Sequence, residues 1–261
     1  MTVEAPSAGL LAVAPTGRPG RALAPLAGVA VALALWWFAT TVLASPGALL
    51  AAFAPQRALP AIGQLFARGV LVEDIATSLW RLLVGLLIAG VVGVGVGLAV
   101  GSLPVLDAAT RPVFQLLRMI SPLAWAPVAI GLFGIGHRPV YFLVAAAAVW
   151  PVVLNTAAGV RAVDPGLRLV ARSLGATGWE TLTSIVLPTV RPHLLTGLRL
   201  ALGIGWVVLV PAEMLGVTSG LGYEILNARD QLAYDQVMAV ILVIGGLGYL
   251  LDWLTRRVLR G

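Results

Sequence analysis

The sequence offers few side chains that could carry out covalent chemistry or bind a metal ion. It contains no cysteine, which excludes disulfides, thiolate catalysis and iron–sulfur clusters. Its two histidines, His137 and His193, are far apart in sequence and have no acidic cluster beside them, whereas a metal site usually needs three or four ligands. We therefore predict no catalytic residues, no bound metal and no cofactor.

The basic residues exclude two further functions. All 17 are arginine, so the chain lacks the lysine with which the motif G-x-x-x-x-G-K-[ST] holds nucleotide phosphates in P-loop ATPases. The net charge is +6, but no basic patch alternates with aromatic residues that could stack on bases. We therefore expect no nucleic-acid partner.

Two charged residues, Arg81 and Glu213, fall inside apolar stretches. Carboxylates at membrane depth are costly and usually face a bundle interior or water. Glu213, in "VPAEML", is therefore either a gate or pathway residue or a carboxylate that is capped or snorkels at the interface, and the sequence leaves both open. Arg81, in "SLWRLL", could pair with an acid or face a polar path between helices, although snorkelling is the simpler explanation.

A second pair of pathway candidates, Met119 and Trp125, flanks Ser121 and Pro122. Pro122 and Pro127 should loosen backbone hydrogen bonding there, which membrane proteins tolerate where neighbouring groups or a water-filled cavity satisfy the freed backbone. Core packing is the default interpretation for Trp125.

The elements that position these residues are predicted to be membrane-spanning helices. Of 261 residues, 59% are hydrophobic and 11% are charged, whereas a soluble domain has about 25% charged residues. Several apolar runs reach the roughly 20 residues that a helix needs to cross a bilayer. We predict an all-α polytopic membrane protein with six spans, at about residues 25–43, 75–101, 119–135, 140–158, 194–215 and 237–254.

The first 24 residues are rich in alanine, proline and glycine and are predicted to form a disordered cytoplasmic tail, followed by one transmembrane domain over residues 25–261. The first apolar run could instead be a signal peptide that is cleaved before Ser45. Its apolar core exceeds the usual length of about 7–15 residues for such a peptide, so a retained span is favoured.

The distribution of arginine indicates the orientation. Six spans place both termini on one side, and if that side is the cytoplasm, the outer side and outer span ends hold only Arg57, Arg68, Arg81, Arg138 and Arg229. Because positive residues are retained on the cytoplasmic side, we predict cytoplasmic N- and C-termini and a long cytoplasmic loop over residues 159–193.

Glycines recur at four-residue spacing in the second predicted span, at Gly93, Gly97 and Gly101. Such spacing lets helix backbones approach closely in lipid. We interpret it as packing within the bundle rather than as a separate dimerisation motif.

The first half of the loop carries signals for a short helix. Asp164 is a predicted N-cap, and Pro165 follows in the first turn, where its missing N–H has no partner to lose. Gly175 suits the left-handed position that ends a helix.

The second half carries signals for another short helix. Thr177 and Glu180 have the spacing of a capping box. Ile185 and Leu187 supply an apolar face, and Pro188 is expected to stop the helix.

This pattern resembles the cytoplasmic loop of permeases of binding-protein-dependent ABC importers. The signature of that loop is E-A-A, three residues, G, nine residues and I-x-L-P. The matching positions here hold Ala171, Gly175, Ile185, Leu187 and Pro188, whereas Leu169 and Val170 replace the Glu and Ala. Longer stretches such as "SPLAWAPVAIGLFGIG", "WPVVLNTAAGVRAVDP" and "SGLGYEI" resemble the branch that serves nitrate, sulfonates and taurine.

The resemblance implies a type I (MetI-like) permease in the bacterial inner membrane. It implies that Asp164, Ala171, Gly175, Ala176 and the helix from Glu180 to Leu187 and Pro188 form the surface that couples to the ATPase. The implied partners are two P-loop ATPase subunits, a soluble solute-binding protein and a second copy of this chain. A sulfonate such as taurine is the first substrate expectation, with nitrate, bicarbonate-like anions and vitamin precursors left open.

Two rival functions are weaker. An ion-coupled secondary transporter should show inverted repeats or paired intramembrane carboxylates, but no repeat is clear and Glu213 stands nearly alone in the sequence. A membrane-embedded enzyme would need a nucleophile with its base or a metal constellation, for which this sequence has little material.

Overall fold

A computed structural model of the chain describes residues 20–45 and 48–258, which form helices, turns and bends without a strand. Most of the predicted disordered tail, residues 1–24, lies outside the described residues. The first helix begins at Gly20, inside the range predicted as tail. The described part therefore confirms the all-α class.

Twelve helices follow one another along the described residues. They are α1 (Gly20–Thr41), α2 (Leu49–Ala52), α3 (Pro55–Ala67), α4 (Val70–Ser102), α5 (Pro104–Met119), α6 (Ala126–Phe133), α7 (His137–Arg161), α8 (Pro165–Ser173), α9 (Gly178–Thr181), α10 (Leu187–Glu213), α11 (Leu221–Asp230) and α12 (Tyr234–Val258). A 3₁₀ segment, Pro122–Trp125, precedes α6, and a π-helical turn, Leu182–Val186, joins α9 to α10.

The chain divides into two compact units, residues 1–55 and 56–261. In the first unit, the Trp36 indole N–H donates to the Phe53 carbonyl at 3.1 Å and so ties α1 to the segment after α2. The second unit contains α4 to α12 and every predicted site residue. A single domain over residues 25–261 stays a prediction.

The centre of the second unit is the contact between α4 and α7. Small residues at every fourth position of α4 lie against every fourth position of α7. A β-carbon added at Gly93 would lie 2.7 Å from Val152 Cβ, and one added at Gly97 would lie 2.6 Å from Thr156 Cβ. The glycine spacing therefore serves packing inside the bundle, as predicted from the sequence.

Four helices are long and apolar enough to cross a membrane, namely α4, α7, α12 and the continuous helical stretch Gly178–Glu213. They overlap the second, fourth, fifth and sixth predicted spans. The described apolar part of α1, Leu26–Thr41, falls in the class of shorter apolar helices.

The bounds predicted for the third span, residues 119–135, are wrong, because the candidate for this span is a bent helix pair that begins at Pro104. The chain bends by 88° between α5 and the segment Pro122–Phe133. Pro122 and Pro127 stand in the first turns of the 3₁₀ segment and of α6, where a missing N–H breaks no helical hydrogen bond. The prolines therefore start a new helix direction instead of loosening one continuous helix.

The prediction that Pro188 ends a helix is also wrong. The helical stretch runs from Gly178 through Pro188 to Glu213. Just before the proline, the Leu187 N–H donates to the Leu182 carbonyl, five residues back. This π-turn shifts the hydrogen-bond register by one residue and accommodates the proline, which has no N–H of its own.

Candidate functional site

The loop between α7 and α10 begins with a fully capped short helix, α8. The Asp164 carboxylate accepts a hydrogen bond from the Gly166 N–H at 2.7 Å, which confirms the predicted N-cap. At the other end, the Gly175 N–H donates to the Arg172 carbonyl and the Ala176 N–H donates to the Ala171 carbonyl. Gly175 has a φ of +77°, so it is the left-handed residue of a Schellman motif.

The second helix of the loop begins with the predicted capping box. The Thr177 hydroxyl accepts from the Glu180 N–H at 3.2 Å, and the Glu180 carboxylate accepts from the Thr177 N–H at 2.7 Å. The hydrogen bond from the Thr177 amide holds the pKa of the Glu180 carboxyl below its ordinary value. The turn between the two short helices is therefore fixed on both sides.

The loop exposes large apolar side chains. Leu174 and Trp179 are 81% and 71% exposed, and Leu169 and Val170 of α8 are also exposed. Leu187 and Pro188 are exposed as well, whereas Ala171 is buried and Ile185 is half-buried. Several large apolar side chains exposed on an ordered loop favour a protein-binding site.

The loop is anchored to the long helices at its base. The Arg168 guanidinium donates to the Val160 carbonyl at 2.9 Å, in the last turn of α7. Beneath it, Ile185 packs against a buried cluster formed by Val160, Val163, Val186 and Val190. Sequence reasoning missed Arg168, although an arginine that follows a helix end is well placed to bond its free carbonyls.

The second candidate site is polar and lies inside the second unit, between α4 and the end of α10. Arg81 and Glu213 are 1% and 0% exposed and form an ion pair of 2.8 Å. The Glu213 carboxylate also accepts from the Ser78 hydroxyl and from the Gly222 N–H, each at 2.9 Å. The Arg81 Nε–H donates to His137 Nδ1 at 3.1 Å. Arg81 pairs with an acid, so the snorkelling explanation is wrong.

The same polar site holds the segment between α10 and α11 against α4. Arg81 donates to the Ser219 carbonyl at 2.7 Å and to its hydroxyl at 2.9 Å. The Gly220 N–H donates to Asp74 at 2.6 Å, and the Leu221 N–H donates to Ser78 at 2.9 Å. We call Asp74, Ser78, Arg81, His137, Glu213 and Ser219 the buried polar cluster.

Position 220 needs a glycine for two reasons. Its φ is +97°, and a β-carbon there would lie 2.5 Å from a Glu213 oxygen. Gly222 has a similar steric limit, because a β-carbon would lie 2.2 Å from the Val210 carbonyl oxygen. The two glycines of "SGLG" therefore allow this segment to pack closely against the end of α10 and the Arg81–Glu213 ion pair.

The structure brings together two of the four predicted pathway residues. Arg81 and Glu213 are in contact, whereas Met119 is 71% exposed at the end of α5. Trp125 is half-buried and packs against the hydrophobic core, which confirms the default interpretation for that residue. A role of these residues in a pathway or gate stays a prediction.

Most members of the buried polar cluster were missed from the sequence. Asp74, Ser78 and Arg81 follow one another at spacings of four and three residues on one face of α4. This polar stripe could have indicated a buried polar site from the sequence.

The expectation that Glu213 stands nearly alone is wrong, since Asp74 and Glu224 are also buried carboxylates. Among the described residues, no group of three or more His, Asp or Glu side chains is placed to hold a metal ion.

The fold is that of a helical membrane protein, and comparison with known proteins identifies its family. The family model described as "Binding-protein-dependent transport system inner membrane component" matches residues 90–261. The chain belongs to this family of ABC importer permeases.

Curated relatives cover much of the chain. It is 39% identical to the bicarbonate transport system permease protein CmpB of Synechococcus elongatus over 199 residues, which cover 74% of this chain and 71% of the relative. It is 37% identical to the taurine transport system permease protein TauC of Escherichia coli over 230 residues, which cover 86% and 82%. A nitrate import permease protein NrtB of Leptolyngbya laminosa is 34% identical, with 69% of this chain and 64% of the relative covered.

A solved structure shows the same fold. A chain of the MetNI methionine ABC transporter, in an inward-facing conformation, matches with a TM-score of 0.56 and 19% identity. The match covers 69% of this chain and 92% of that chain. The predicted MetI-like permease fold is therefore confirmed.

Proposed function

We propose that this chain forms the translocation pathway of an ABC importer for a small anion, with a soluble binding protein delivering the solute and separate ATPase subunits supplying the energy. A second copy of the chain completes the pore, and two P-loop ATPase subunits bind beneath the pair. The loop that follows α7 lies in the cytoplasm together with both termini. The chain itself carries out no covalent chemistry.

The observation that carries this proposal is the build of the loop. Two short helices are locked by an N-cap, a Schellman motif and a capping box, and they display exposed Leu174 and Trp179. A flexible linker needs none of these devices, and exposed aromatic and aliphatic side chains favour a protein partner. An ATPase subunit is the partner that an ABC importer permease requires at such a loop.

The anchors of the loop supply a mechanism for alternating access. ATP-driven closure of the ATPase subunits moves the loop as a rigid body. Arg168 and the valine cluster under Ile185 transmit this movement to the ends of α7 and α10. The long helices then turn the pore outward to receive the solute, and ATP hydrolysis returns it inward.

The class of solute follows from the relatives. Their names give bicarbonate, taurine and nitrate, which are small and carry an oxyanion group. We propose a solute of this class, with a taurine-like sulfonate or a nitrate-like anion as the first choices.

A pair of glycine variants tests the loop proposal. Gly175 and Gly178 both have open space around a β-carbon, but only Gly175 has a positive φ. Gly175→Ala is therefore expected to strain the turn by about 1–2 kcal/mol, whereas Gly178→Ala is not. We expect a P-loop ATPase to co-purify with the wild type and with Gly178→Ala, and to be depleted several-fold with Gly175→Ala.

Transport in proteoliposomes, with the co-purified ATPase present, provides the second measurement. We expect solute uptake that requires ATP and that Gly175→Ala lowers. Uptake that needs no ATP and collapses with the proton gradient would instead establish ion-coupled secondary transport. The buried carboxylates Asp74, Glu213 and Glu224 are the observation that favours this alternative.

A further inference from the structure

A groove separates α5 from the end of α7. It has a volume of about 270 Å³, which is smaller than a typical drug-binding pocket of about 300–1,000 Å³ and suits a small solute. Phe114 of α5 and Trp150 of α7 meet across it with ring centroids 5.5 Å apart. Val100, at the end of α4, lines the same groove.

The charges that line the groove are mainly positive. Arg111 and Arg118 come from α5 and Arg161 comes from α7. Asp107 supplies the negative charge, at 2.7 Å from Arg111 and 3.4 Å from Arg161. Among the described residues, Arg118 forms no ion pair. The lining therefore has a formal charge of +2.

The residues of α5 that line the groove share one helix face. Asp107, Arg111, Gln115 and Arg118 are separated by four, four and three residues, so they form a polar stripe along α5. This stripe faces the mainly apolar side of α7. Arginines beside aromatic rings, with an amide between them, form a suitable binding site for a planar or tetrahedral oxyanion.

We propose that this groove binds an oxyanion group at the inner mouth of the permease, with Arg118 and Arg111 as its ligands. The side of the membrane and the anion class rest on the proposed function. The oxyanion belongs either to the transported solute as it leaves the pore or to the headgroup of an anionic phospholipid. Asp107 weakens the site, because its carboxylate repels an anion and occupies Arg111.

Binding is measured by saturation-transfer difference NMR on the intact purified chain in nanodiscs of uncharged phosphatidylcholine. The probes are isethionate, a small sulfonate, and glycerol 3-phosphate, which represents a lipid headgroup. Ionic strength is held constant with chloride, because exposed charges are screened by salt. Nitrate serves as a competitor without a proton signal.

Two single-charge variants are expected to change binding in opposite directions, and a third serves as the control. Arg118→Gln is expected to weaken isethionate binding about fivefold, the upper range for one exposed ion pair, whereas Asp107→Asn is expected to tighten it. Arg68→Gln is the control, since it removes the same charge from an exposed arginine that does not line the groove. All three positions are exposed or only partly buried, so the fold should tolerate the changes.

The outcomes separate the two sources of the oxyanion. Isethionate binding that nitrate displaces and that depends on Arg118 establishes a solute site. Arg118-dependent binding of glycerol 3-phosphate alone establishes a headgroup site. If neither probe responds to Arg118→Gln and Asp107→Asn, the inference is wrong. ATP-dependent uptake measured in parallel keeps the two proposals apart, because uptake without groove binding leaves the proposed function intact.

Discussion

The ion pair between Arg81 and Glu213 is buried inside the chain, so its energy depends on how completely the two charges are hydrogen-bonded. Removing two charges from water costs several kcal/mol per ion, and only good geometry with further hydrogen bonds offsets that cost. Here the carboxylate has three donors and the guanidinium has four acceptors, including both oxygens of Ser219. The pair therefore serves to fix the α10–α11 segment on α4.

Variants of this pair distinguish a positioning role from a pathway role. Arg81→Met or Glu213→Gln alone is expected to lower stability by about 3–5 kcal/mol, because each leaves one buried charge without its partner. The double variant is expected to recover most of that loss. Thermal unfolding in detergent measures these effects.

Transport by the double variant decides the role of Glu213. If the pair only positions the segment, uptake should return together with stability. A stable double variant that does not transport would contradict this reasoning and would place Glu213 in the pathway or gate.

At the residue scale, the sequence predicted what depends on near neighbours. The caps at Asp164 and Thr177 and the left-handed Gly175 depend on residues within four positions and were predicted correctly. The partners of Glu213 were not predicted, because Ser78 and Arg81 are more than 130 positions away and meet it only through helix packing.

At the scale of elements, the packing of α4 on α7 depends on small side chains at one helix face. Gly97 has no room for a β-carbon, whereas Gly95, two residues earlier on the same helix, has nothing within 4 Å. The two glycines therefore form a matched pair. They have the same helix propensity and differ only in the face they occupy.

Gly97→Ala is expected to lower the free energy of unfolding by about 1–3 kcal/mol, because the added methyl group overpacks the contact with Thr156. Gly95→Ala should leave stability unchanged or raise it slightly, since alanine favours the helix. Thermal unfolding of both variants in the same detergent measures the difference. Equal effects at the two positions would show that the α4–α7 contact is not close in the membrane.

Element directions were harder to predict than element existence. The apolar runs of α4, α7, α10 and α12 are visible in the sequence, but prolines have opposite consequences in different places. Pro122 stands at the start of a new helix direction, whereas Pro188 lies within a continuous helix after a π-turn. A single sequence does not distinguish these cases, because the outcome depends on whether the backbone can shift its hydrogen-bond register.

At the scale of the whole molecule, topology depends on the bent segment between α4 and α7. The helices α4 and α7 each cross the membrane, so two crossings alone would put Arg68 and Leu174 on the same side. If the bent pair of α5 and Pro122–Phe133 counts as a third crossing, the two positions lie on opposite sides. The arginine distribution predicts this third crossing, because the predicted orientation has the α8 loop in the cytoplasm and the segment before α4 outside.

Cysteine labelling tests this topology directly, since the chain has no cysteine of its own. Leu174 is 81% exposed and Arg68 is also exposed, so Leu174→Cys and Arg68→Cys should both be reachable. With a membrane-impermeant maleimide, we expect Leu174→Cys to react only in inside-out vesicles and Arg68→Cys only in right-side-out vesicles. Reaction of both from one side would mean that the bent segment re-enters without crossing. Reaction of Leu174→Cys from the outside would remove the loop from reach of any ATPase, and the importer mechanism would then fail for this chain.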